Sequence, residues 1–485
     1  MGIRTSSAFC CSPEQHSINL STSADISAMQ VLDDEPLIHS LEDNPSMSLR
    51  SERMTITFRP FSNIIHLNKQ DTQVWPCILE LIPPMSLERQ NIDIVYVVEL
   101  SSLLTPVWLN SIKKCVWYSL TQLNKFDRVS IVVFTDNAVK LCPLTTVCKQ
   151  NQSKIYNTFR NLEGSGGSNL AEGISMGLNV LSHRRMCNSI AGLILFTRSQ
   201  QNGDYMKELL HNHGISTNFF VHAFGLGDHN AESISSLCTE TEGNYYNIPH
   251  PLSLFPAFGS CLGELLSLYA ECIKINIELI RSTIPISLEK VYLSQSYAIS
   301  GKPLEICSIL SVLPCSQVSL PCFHLKLLKA VVKYKIIATG EEVKEETIFE
   351  VPIFSHDSEY KLAEIFGDTI LCMFRFRFAD LLYEILFEEF NKAVELLREF
   401  AENVSALEDI GWVGQMKEEL ANYENLLRLG WNQALRSRVI CSMQGFMNKS
   451  LFYVSDFQTA VQIEQQKACK EISEVMRNSI RNNNM

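Results

Sequence analysis

Between residues 92 and 197, short apolar runs alternate with stretches of helical periodicity. The apolar runs are IDIVYVVEL (92–100), RVSIVVF (128–134) and AGLILFT (191–197), and their side chains are apolar on both faces. Helical patterns lie between them at 109–123 and 170–181, the second after the glycine-rich turn GSGGSN. Strands of this kind that alternate with helices are typical of a doubly wound parallel sheet. The sequence therefore predicts an α/β domain, which we place at residues 90–270.

Alternating apolar and polar residues on either side of this domain indicate further strands. The segment CIKINIELI (272–280) alternates with period two, and HLKLLKAVVKYKII (324–337) and ETIFEVPI (346–353) are also strand candidates. Two more candidates, MTITF (54–58) and CILELI (77–82), precede the α/β domain. We therefore expect an antiparallel β-sandwich at residues 271–356, joined by strands from residues 50–89.

Helical spacing returns in the last part of the chain. Apolar residues recur at three- and four-residue steps over 382–397, again over 416–427, and once more at 472–476. Such spacing predicts amphipathic helices, the first of them continuous through residue 397. We expect residues 357–482 to form a small helical bundle or hairpin.

Composition limits the classes of function. The net charge of −12 argues against a general nucleic-acid-binding protein, which needs a basic face for phosphate contacts. The 16 cysteines are scattered, form no CxxC pair and lie mainly in apolar segments, so we interpret them as reduced thiols of a cytoplasmic protein. No apolar stretch approaches the ~18–20 residues that span a bilayer.

The N-terminal segment, residues 1–49, is polar and acidic, so we expect it to be disordered. Its first residues, MGIRTS, fit the pattern for N-myristoylation at Gly2, and Cys10 and Cys11 follow at a distance suited to palmitoylation. Two acyl chains give stable anchoring where one does not, which would place the protein at the cytoplasmic face of a membrane. The alternative is that the match to the pattern arose by chance. An acidic tail also gains no electrostatic attraction from anionic lipids, which weakens the case for membrane binding.

Three loops leave the carboxyl ends of the predicted parallel strands, where sheets of this class bind ligands. They lie at residues 99–103, 164–169 and 198–201, within the ordered run ELSSL, DRVSIVVF, GGSNLAEGI and LILFTRSQ. This run resembles a von Willebrand factor A domain. The resemblance implies a metal site of the form DxSxS, with a Thr from GGTN and a later Asp. Those five positions are occupied here by Glu99, Ser101, Leu103, Ser168 and Arg198.

The residues at these positions are poor ligands for a divalent cation. Mg²⁺ needs oxygen ligands in tight octahedral geometry, whereas Leu103 offers none and Glu99 is one methylene longer than Asp. A guanidinium at Arg198, ~4 Å from the ion, would repel it by roughly 8 kcal/mol at an effective dielectric constant of about 20. That is enough to abolish micromolar affinity. We therefore expect no metal and no other cofactor.

Two arrangements of Arg198 remain open. In the first, the guanidinium occupies the place of the ion and pairs with Glu99, while Ser101 and Ser168 accept its remaining N–H bonds. In the second, Arg198 points into solvent and the metal site has simply degenerated.

Several longer segments resemble the plant RING-type wavy-growth family over roughly residues 50–480. They are LSHRRMCNSIAGLILFTRSQ (181–200), VHAFGLGDHNAESISSLC (221–238), GNYYNI (243–248) and AFGSCLGELLS (257–267). The resemblance implies E3 ubiquitin ligase activity through an N-terminal zinc RING. A RING needs eight Cys or His ligands for two zinc ions, and the first 50 residues offer only Cys10, Cys11, His16 and His39. A RING is therefore missing, unless an upstream exon encodes one.

We expect an interaction scaffold with no enzymatic activity of its own, which binds a protein partner at the three loops. The alternative is a component of a ubiquitin ligase that acts through a RING-bearing paralogue, with contact through the C-terminal helices. Other chemistry has little support, because GSGGSN lacks the GK[ST] ending of a phosphate loop and no GxSxG elbow is present.

Overall fold

The structure of the chain is a computed structural model. It describes residues 34–36, 52–67, 70–85, 89–201, 219–282, 284–293, 295–315, 322–354, 365–409, 411–451 and 458–483. The candidate lipidation sites Gly2, Cys10 and Cys11 lie outside these residues, as does most of the segment predicted to be disordered.

The described strands and helices are numbered here in chain order. The strands are β1 (Thr55–Pro60), β2 (Ile65–His66), β3 (Gln73–Ile82), β4 (Ile92–Glu99), β5 (Arg128–Phe134), β6 (Ala138–Thr146), β7 (Ile190–Thr197), β8 (Phe220–Leu226), β9 (Tyr245–Ile248), β10 (Leu268–Leu279), β11 (Ile286–Tyr292), β12 (Ala298–Ile299), β13 (Leu304–Val312), β14 (Cys322–Ile336) and β15 (Glu342–Phe354). The helices are α1 (Pro106–Gln122), α2 (Lys149–Arg160), α3 (Leu170–Ser182), α4 (Ala231–Glu240), α5 (Leu254–Leu265), α6 (Gly367–Ile385), α7 (Phe390–Val404), α8 (Trp412–Leu427), α9 (Gln433–Asn448) and α10 (Ala460–Asn483).

The central sheet has the strand order β6-β5-β4-β7-β8-β9. Its strands are parallel except β6, which pairs with β5 in the antiparallel sense and forms one edge. All residues of β4, β5, β7 and β8 are buried, because helices cover both faces of the sheet. Helices α1, α2 and α5 pack on one face, and α3 and α4 pack on the other. The predicted α/β class is confirmed.

Two further sheets form a β-sandwich beside the central domain. One has the order β1-β3-β13-β11 and the other β12-β10-β14-β15-β2, with antiparallel pairing except between β15 and β2. Strands that precede the central domain therefore pair with strands that follow it. Apolar side chains from both sheets fill the space between them.

The C-terminal helices pack on the central domain instead of forming a bundle of their own. Helices α6 to α9 share one continuous apolar core with α3 and α4, whereas α10 crosses α5 on the opposite side of the domain. The close approach of α10 depends on Gly259 and Gly263, where a Cβ would lie 2.6 Å from the Cα of Gln466 and 2.7 Å from the Cα of Gln462. The helical region therefore wraps the central domain.

The helix predicted to run through residues 382–397 is in fact two helices. Helix α6 ends at Ile385 and α7 begins at Phe390. Helix α6 carries Cys372, Met373 and Phe376 into a small core with strands of the sandwich, while its last turns reach the core of the central domain. The break lets α7 return to that same core from another direction. Among the helices of the described ranges, none combines the length and apolarity that crossing a bilayer requires.

Candidate functional site

The three loops at the carboxyl ends of the central strands lie side by side. Backbone hydrogen bonds join the first two loops, from Ser102 N to Gly166 O at 3.1 Å and from Ser165 N to Leu100 O at 2.6 Å. The side chain of Gln201 ties the third loop to the second by donating to Ser168 O at 2.7 Å. We call the surface formed by residues 99–103, 164–169 and 198–201 the rim.

Glu99 lies beneath the rim and is completely buried. Its carboxylate accepts hydrogen bonds from the hydroxyl of Ser101, from the hydroxyl of Thr197 at 2.7 Å and from the backbone N–H of Arg198 at 2.8 Å. All three donors are electrically neutral. The charge of the carboxylate is therefore stabilised by hydrogen bonds rather than by an ion pair.

Arg198 adopts neither of the two arrangements that the sequence left open. Among the described residues, which include both side chains, Glu99 and Arg198 form no ion pair. The guanidinium instead donates from Nη1 to the carbonyl oxygen of Leu103 at 2.7 Å. It lies against Gly227, whose left-handed backbone and missing side chain leave room for it, since a Cβ there would be 3.3 Å from Nη2. The predicted Glu99–Arg198 pair is therefore wrong: the carboxylate binds neutral donors, and the guanidinium binds Leu103 O.

The remaining predicted positions also lie at the rim. Ser101 is buried, and its oxygen accepts the N–H of Leu103 at 3.2 Å, while the Leu103 side chain is 48% exposed. Two buried side-chain atoms of the rim, Ser168 Oγ and Arg198 Nε, have no hydrogen-bond partner among the residues that the structure describes. Unpartnered buried polar atoms mark places where a water molecule or a ligand group completes the bonding.

Sequence reasoning missed two residues that organise the rim. Thr197, the last residue of β7, bonds to Glu99 and also accepts from the backbone N–H of Ser199 at 3.0 Å. Gln201 accepts from the N–H of Leu170, the first residue of α3, at 3.1 Å. A hydroxyl at the end of an otherwise apolar strand was the available signal for Thr197. No comparable signal marked Gln201.

A cavity of about 740 Å³ opens next to the rim, between the loop after β8 and helices α8 and α9. Gly227, which contacts Arg198, is one of its lining residues, and Asp228, Leu435 and the ion pair of Glu419 with Arg438, at 3.2 Å, are others. The cavity therefore adjoins the rim through Gly227, although the rim residues themselves do not line it.

His229 supports the loop that contacts Arg198. The imidazole is buried, with Nδ1 at 2.7 Å from Gly227 O and Nε2 at 2.5 Å from the hydroxyl of Tyr245. Burial disfavours the imidazolium and lowers the pKa of His229 to about 4. The neutral imidazole is therefore the form that holds this loop.

Comparison with known proteins defines the class. The family model of the von Willebrand factor type A domain matches residues 93–254, which contain the central sheet and the rim. The chain thus contains a von Willebrand factor type A domain.

A relative with a known activity is the E3 ubiquitin-protein ligase WAV3 of Arabidopsis thaliana. It is 22% identical over 292 residues, and the match covers 55% of this chain and 38% of WAV3. The chain therefore spans well under half the length of this relative.

Solved structures support the fold. A von Willebrand factor type A protein from Catenulispora acidiphila superimposes with a TM-score of 0.56 at 11% identity, covering 78% of this chain and 90% of that one. The ArnB paralog VWA2 from Sulfolobus acidocaldarius gives a TM-score of 0.50 at 13% identity, covering 82% and 99%. At such low identity these likenesses describe the fold alone.

Proposed function

We propose that this protein is an interaction scaffold whose rim binds a protein partner without a metal ion. The observation that carries the proposal is the state of Glu99, at the position of the first metal ligand in the family pattern. Its carboxylate accepts hydrogen bonds from three neutral protein donors, and the guanidinium of Arg198 is directed to Leu103 O instead. Von Willebrand A domains commonly mediate protein–protein interactions, which supports a protein partner. Without a metal ion, recognition of that partner rests on the side chains of the rim.

The donor set at the rim does not suit Mg²⁺ or Mn²⁺. Leu103 supplies only aliphatic carbon, and a cation at Glu99 would have to displace hydroxyl and amide donors that already satisfy the carboxylate. Isothermal titration of the full chain with either ion is expected to show no binding in the micromolar range. Tight binding that Glu99→Gln abolishes would contradict a metal-free rim.

The exposed chemistry of the rim suggests the kind of contact. Leu103 offers an exposed apolar surface beside the Arg198 guanidinium. Arginine is enriched at the centres of interfaces, and the exposed apolar side chain beside it adds area that a partner can bury. A partner segment with an apolar side chain next to an acidic or carbonyl group would match this surface.

The test is a pull-down with the full chain and two charge reversals. Arg198→Glu changes the rim, and Arg281→Glu makes the same change at an exposed position that follows β10 of the sandwich. We expect Arg198→Glu to lose partners that the wild type and Arg281→Glu both retain. Equal retention by all three proteins would show that the rim is not the binding surface.

A second function is favoured by the similarity to WAV3. In this proposal the chain is a non-catalytic component of a ubiquitin ligase, and a RING-bearing paralogue supplies the catalytic domain. Co-purification with a RING protein or a ubiquitin-conjugating enzyme would support it, and their absence from the recovered complexes would remove it.

We also propose that the protein resides in the cytoplasm and reaches the membrane through acylation at Gly2, Cys10 and Cys11. The basis is the sequence pattern alone. Fractionation of the wild type and of Gly2→Ala should show loss of the membrane-bound fraction in the variant. An unchanged distribution would discard the acylation.

A further inference from the structure

A short acidic segment of the N-terminal region lies along the edge of the central sheet. Glu35 donates its backbone N–H to Leu144 O of β6 at 2.8 Å, and Asp34 Oδ1 accepts the N–H of Leu144 at 3.1 Å. The carboxylate of Glu35 accepts both the backbone N–H and the hydroxyl of Thr146, at 2.8 and 2.7 Å. Edge strands present unpaired N–H and C=O groups, and here two acidic side chains and one backbone amide occupy them.

The same segment is held from a second direction by a buried arginine. Arg128, at the start of β5 and 1% exposed, donates from Nη1 to the carbonyl oxygen of Glu35 at 2.8 Å. Its other N–H groups bind Asp93 at 2.8 and 2.9 Å and Met186 O at 2.7 Å, which fixes the direction of Nη1. The donor that receives the segment is therefore preorganised by the core of the domain.

Charge explains why this position favours an acidic segment. Asp93 is shared by two guanidiniums, since Arg184 also donates to it at 2.7 Å. One carboxylate against two guanidiniums leaves a net positive charge at this end of the sheet. Asp34 and Glu35 bring negative charge to this end of the sheet. Their carboxylates accept hydrogen bonds from the N–H groups of Leu144 and Thr146 and from the hydroxyl of Thr146.

We propose that the outer edge of β6, with Thr146 and Arg128, is a recognition site for an extended peptide carrying an Asp-Glu pair. The chain's own Asp34–Glu35 occupies it as an intramolecular ligand. The site lies at the amino end of β5, at the opposite end of the sheet from the rim. It would accept a partner protein with the same acidic pair through the same hydrogen bonds, once the resident segment is displaced. It goes beyond the proposed rim function and does not depend on it.

Competition between the two ligands follows from tethering. A linked segment acts at an effective concentration on the order of millimolar, so it masks the edge against a free peptide of moderate affinity. Removing the acidic side chains of the resident segment should therefore expose the site to peptide added in solution.

The experiment uses a fluorescein-labelled peptide of residues 31–38, VLDDEPLI, and measures anisotropy against the full chain. The double variant Asp34→Ala/Glu35→Ala should bind the peptide at least ~10-fold more tightly than the wild type. A peptide with alanine at positions 34 and 35 should bind neither protein. Equal binding of VLDDEPLI by both proteins, or binding by neither, would overturn the proposal.

A matched control separates this effect from the loss of tail charge. Glu42→Ala/Asp43→Ala removes the same charge from the same region of the sequence and should bind the peptide as weakly as the wild type. Tighter binding by this control would mean that tail charge, rather than occupancy of the edge, governs access, and would contradict the proposal.

Hydrogen exchange gives a readout that needs no added peptide. In Asp34→Ala/Glu35→Ala the amides of Leu144 and Thr146 should exchange faster than in the wild type, while amides of β4 keep their protection. Unchanged exchange at these two amides would show that the segment does not cover the edge. A wild-type dimer that the double substitution converts to a monomer would place the segment of a second copy there and overturn the intramolecular arrangement.

Discussion

Strand β4 carries a fully buried carboxylate near each end, and the two are stabilised differently. Asp93 lies at the base of the sheet and is bound by Arg128 and Arg184, with hydrogen bonds of 2.7 to 2.9 Å. Glu99 lies beneath the rim and is bound by two hydroxyls and one backbone amide. The Asp93 carboxylate at the base is therefore paired with arginines inside the fold. At the rim, the guanidinium of Arg198 is directed away from the buried carboxylate and stays near the surface.

The difference teaches which of the two buried carboxylates depends on its arginines, and which leaves its neighbouring arginine free to contact a partner. Buried ion pairs hold an architecture together, because removing one partner leaves a charge without compensation. Glu99 binds neutral donors, so its stability does not depend on a cationic side chain. Arg198 can therefore contact a partner without unfolding the loops beneath it.

The largest expected effect comes from breaking the base. Asp93→Asn leaves two buried guanidiniums without their carboxylate and should lower the free energy of unfolding by about 3–5 kcal/mol. The corresponding change at the rim, Glu99→Gln, removes a charge that only neutral donors face and should cost roughly 1–3 kcal/mol. Urea denaturation followed by circular dichroism measures both. Equal costs, or a larger cost at Glu99, would break the comparison between the two ends.

A smaller effect is the pH dependence of stability that His229 contributes beside the rim. Burial lowers the pKa of His229 to about 4, from an ordinary value near 6.5. Between these values the unfolded chain binds a proton that the folded chain does not, so stability falls as pH decreases from about 6.5 to 4. The loss attributable to His229 approaches an order of 3 kcal/mol at the acidic limit.

Unfolding measured across that pH window should give a shallower slope for His229→Gln than for the wild type. His183→Gln makes the same substitution at an exposed position after α3 and serves as the control for the change of side chain. Identical slopes for wild type and His229→Gln would show that this imidazole is not the group that titrates. His222 is also buried with a pKa lowered to about 3, so the residual slope of His229→Gln need not vanish.

Sequence patterns predicted the central domain well, because strands buried on both faces are uniformly apolar and stand out. They failed for β13, where Glu305, Ser308 and Ser311 interrupt the apolar run although these polar residues are buried. Strand β13 lies between β3 and β11, and its pairing with β3, a strand more than 200 residues earlier, supplies a burial that local sequence does not reveal.

The rim shows the same limit at the level of side chains. The order of parallel strands was enough to expect that the three loops meet. The strand order did not predict the direction of the Arg198 side chain. That direction depends on the space beside Gly227 and on the hydrogen bond that the Thr197 hydroxyl donates to Glu99. An arginine–carboxylate pair was expected at the rim, whereas the carboxylate of β4 that binds arginines is Asp93, at the base of the sheet.

The smallest expected change in stability belongs to Arg198→Ala, and it separates a recognition residue from a structural one. Among the residues that the structure describes, the guanidinium makes one hydrogen bond, to Leu103 O, so its loss should lower the free energy of unfolding by about 1 kcal/mol or less. The backbone N–H that binds Glu99 remains in the variant, and the rim loops should keep their arrangement. A cost comparable to that of Asp93→Asn would mean that Arg198 is itself part of the architecture, and the rim would lose its distinction from the base. If Arg198→Ala loses little unfolding free energy but no longer binds the partner, the guanidinium acts in recognition. The side chain would then contribute little to folding while determining what the rim binds.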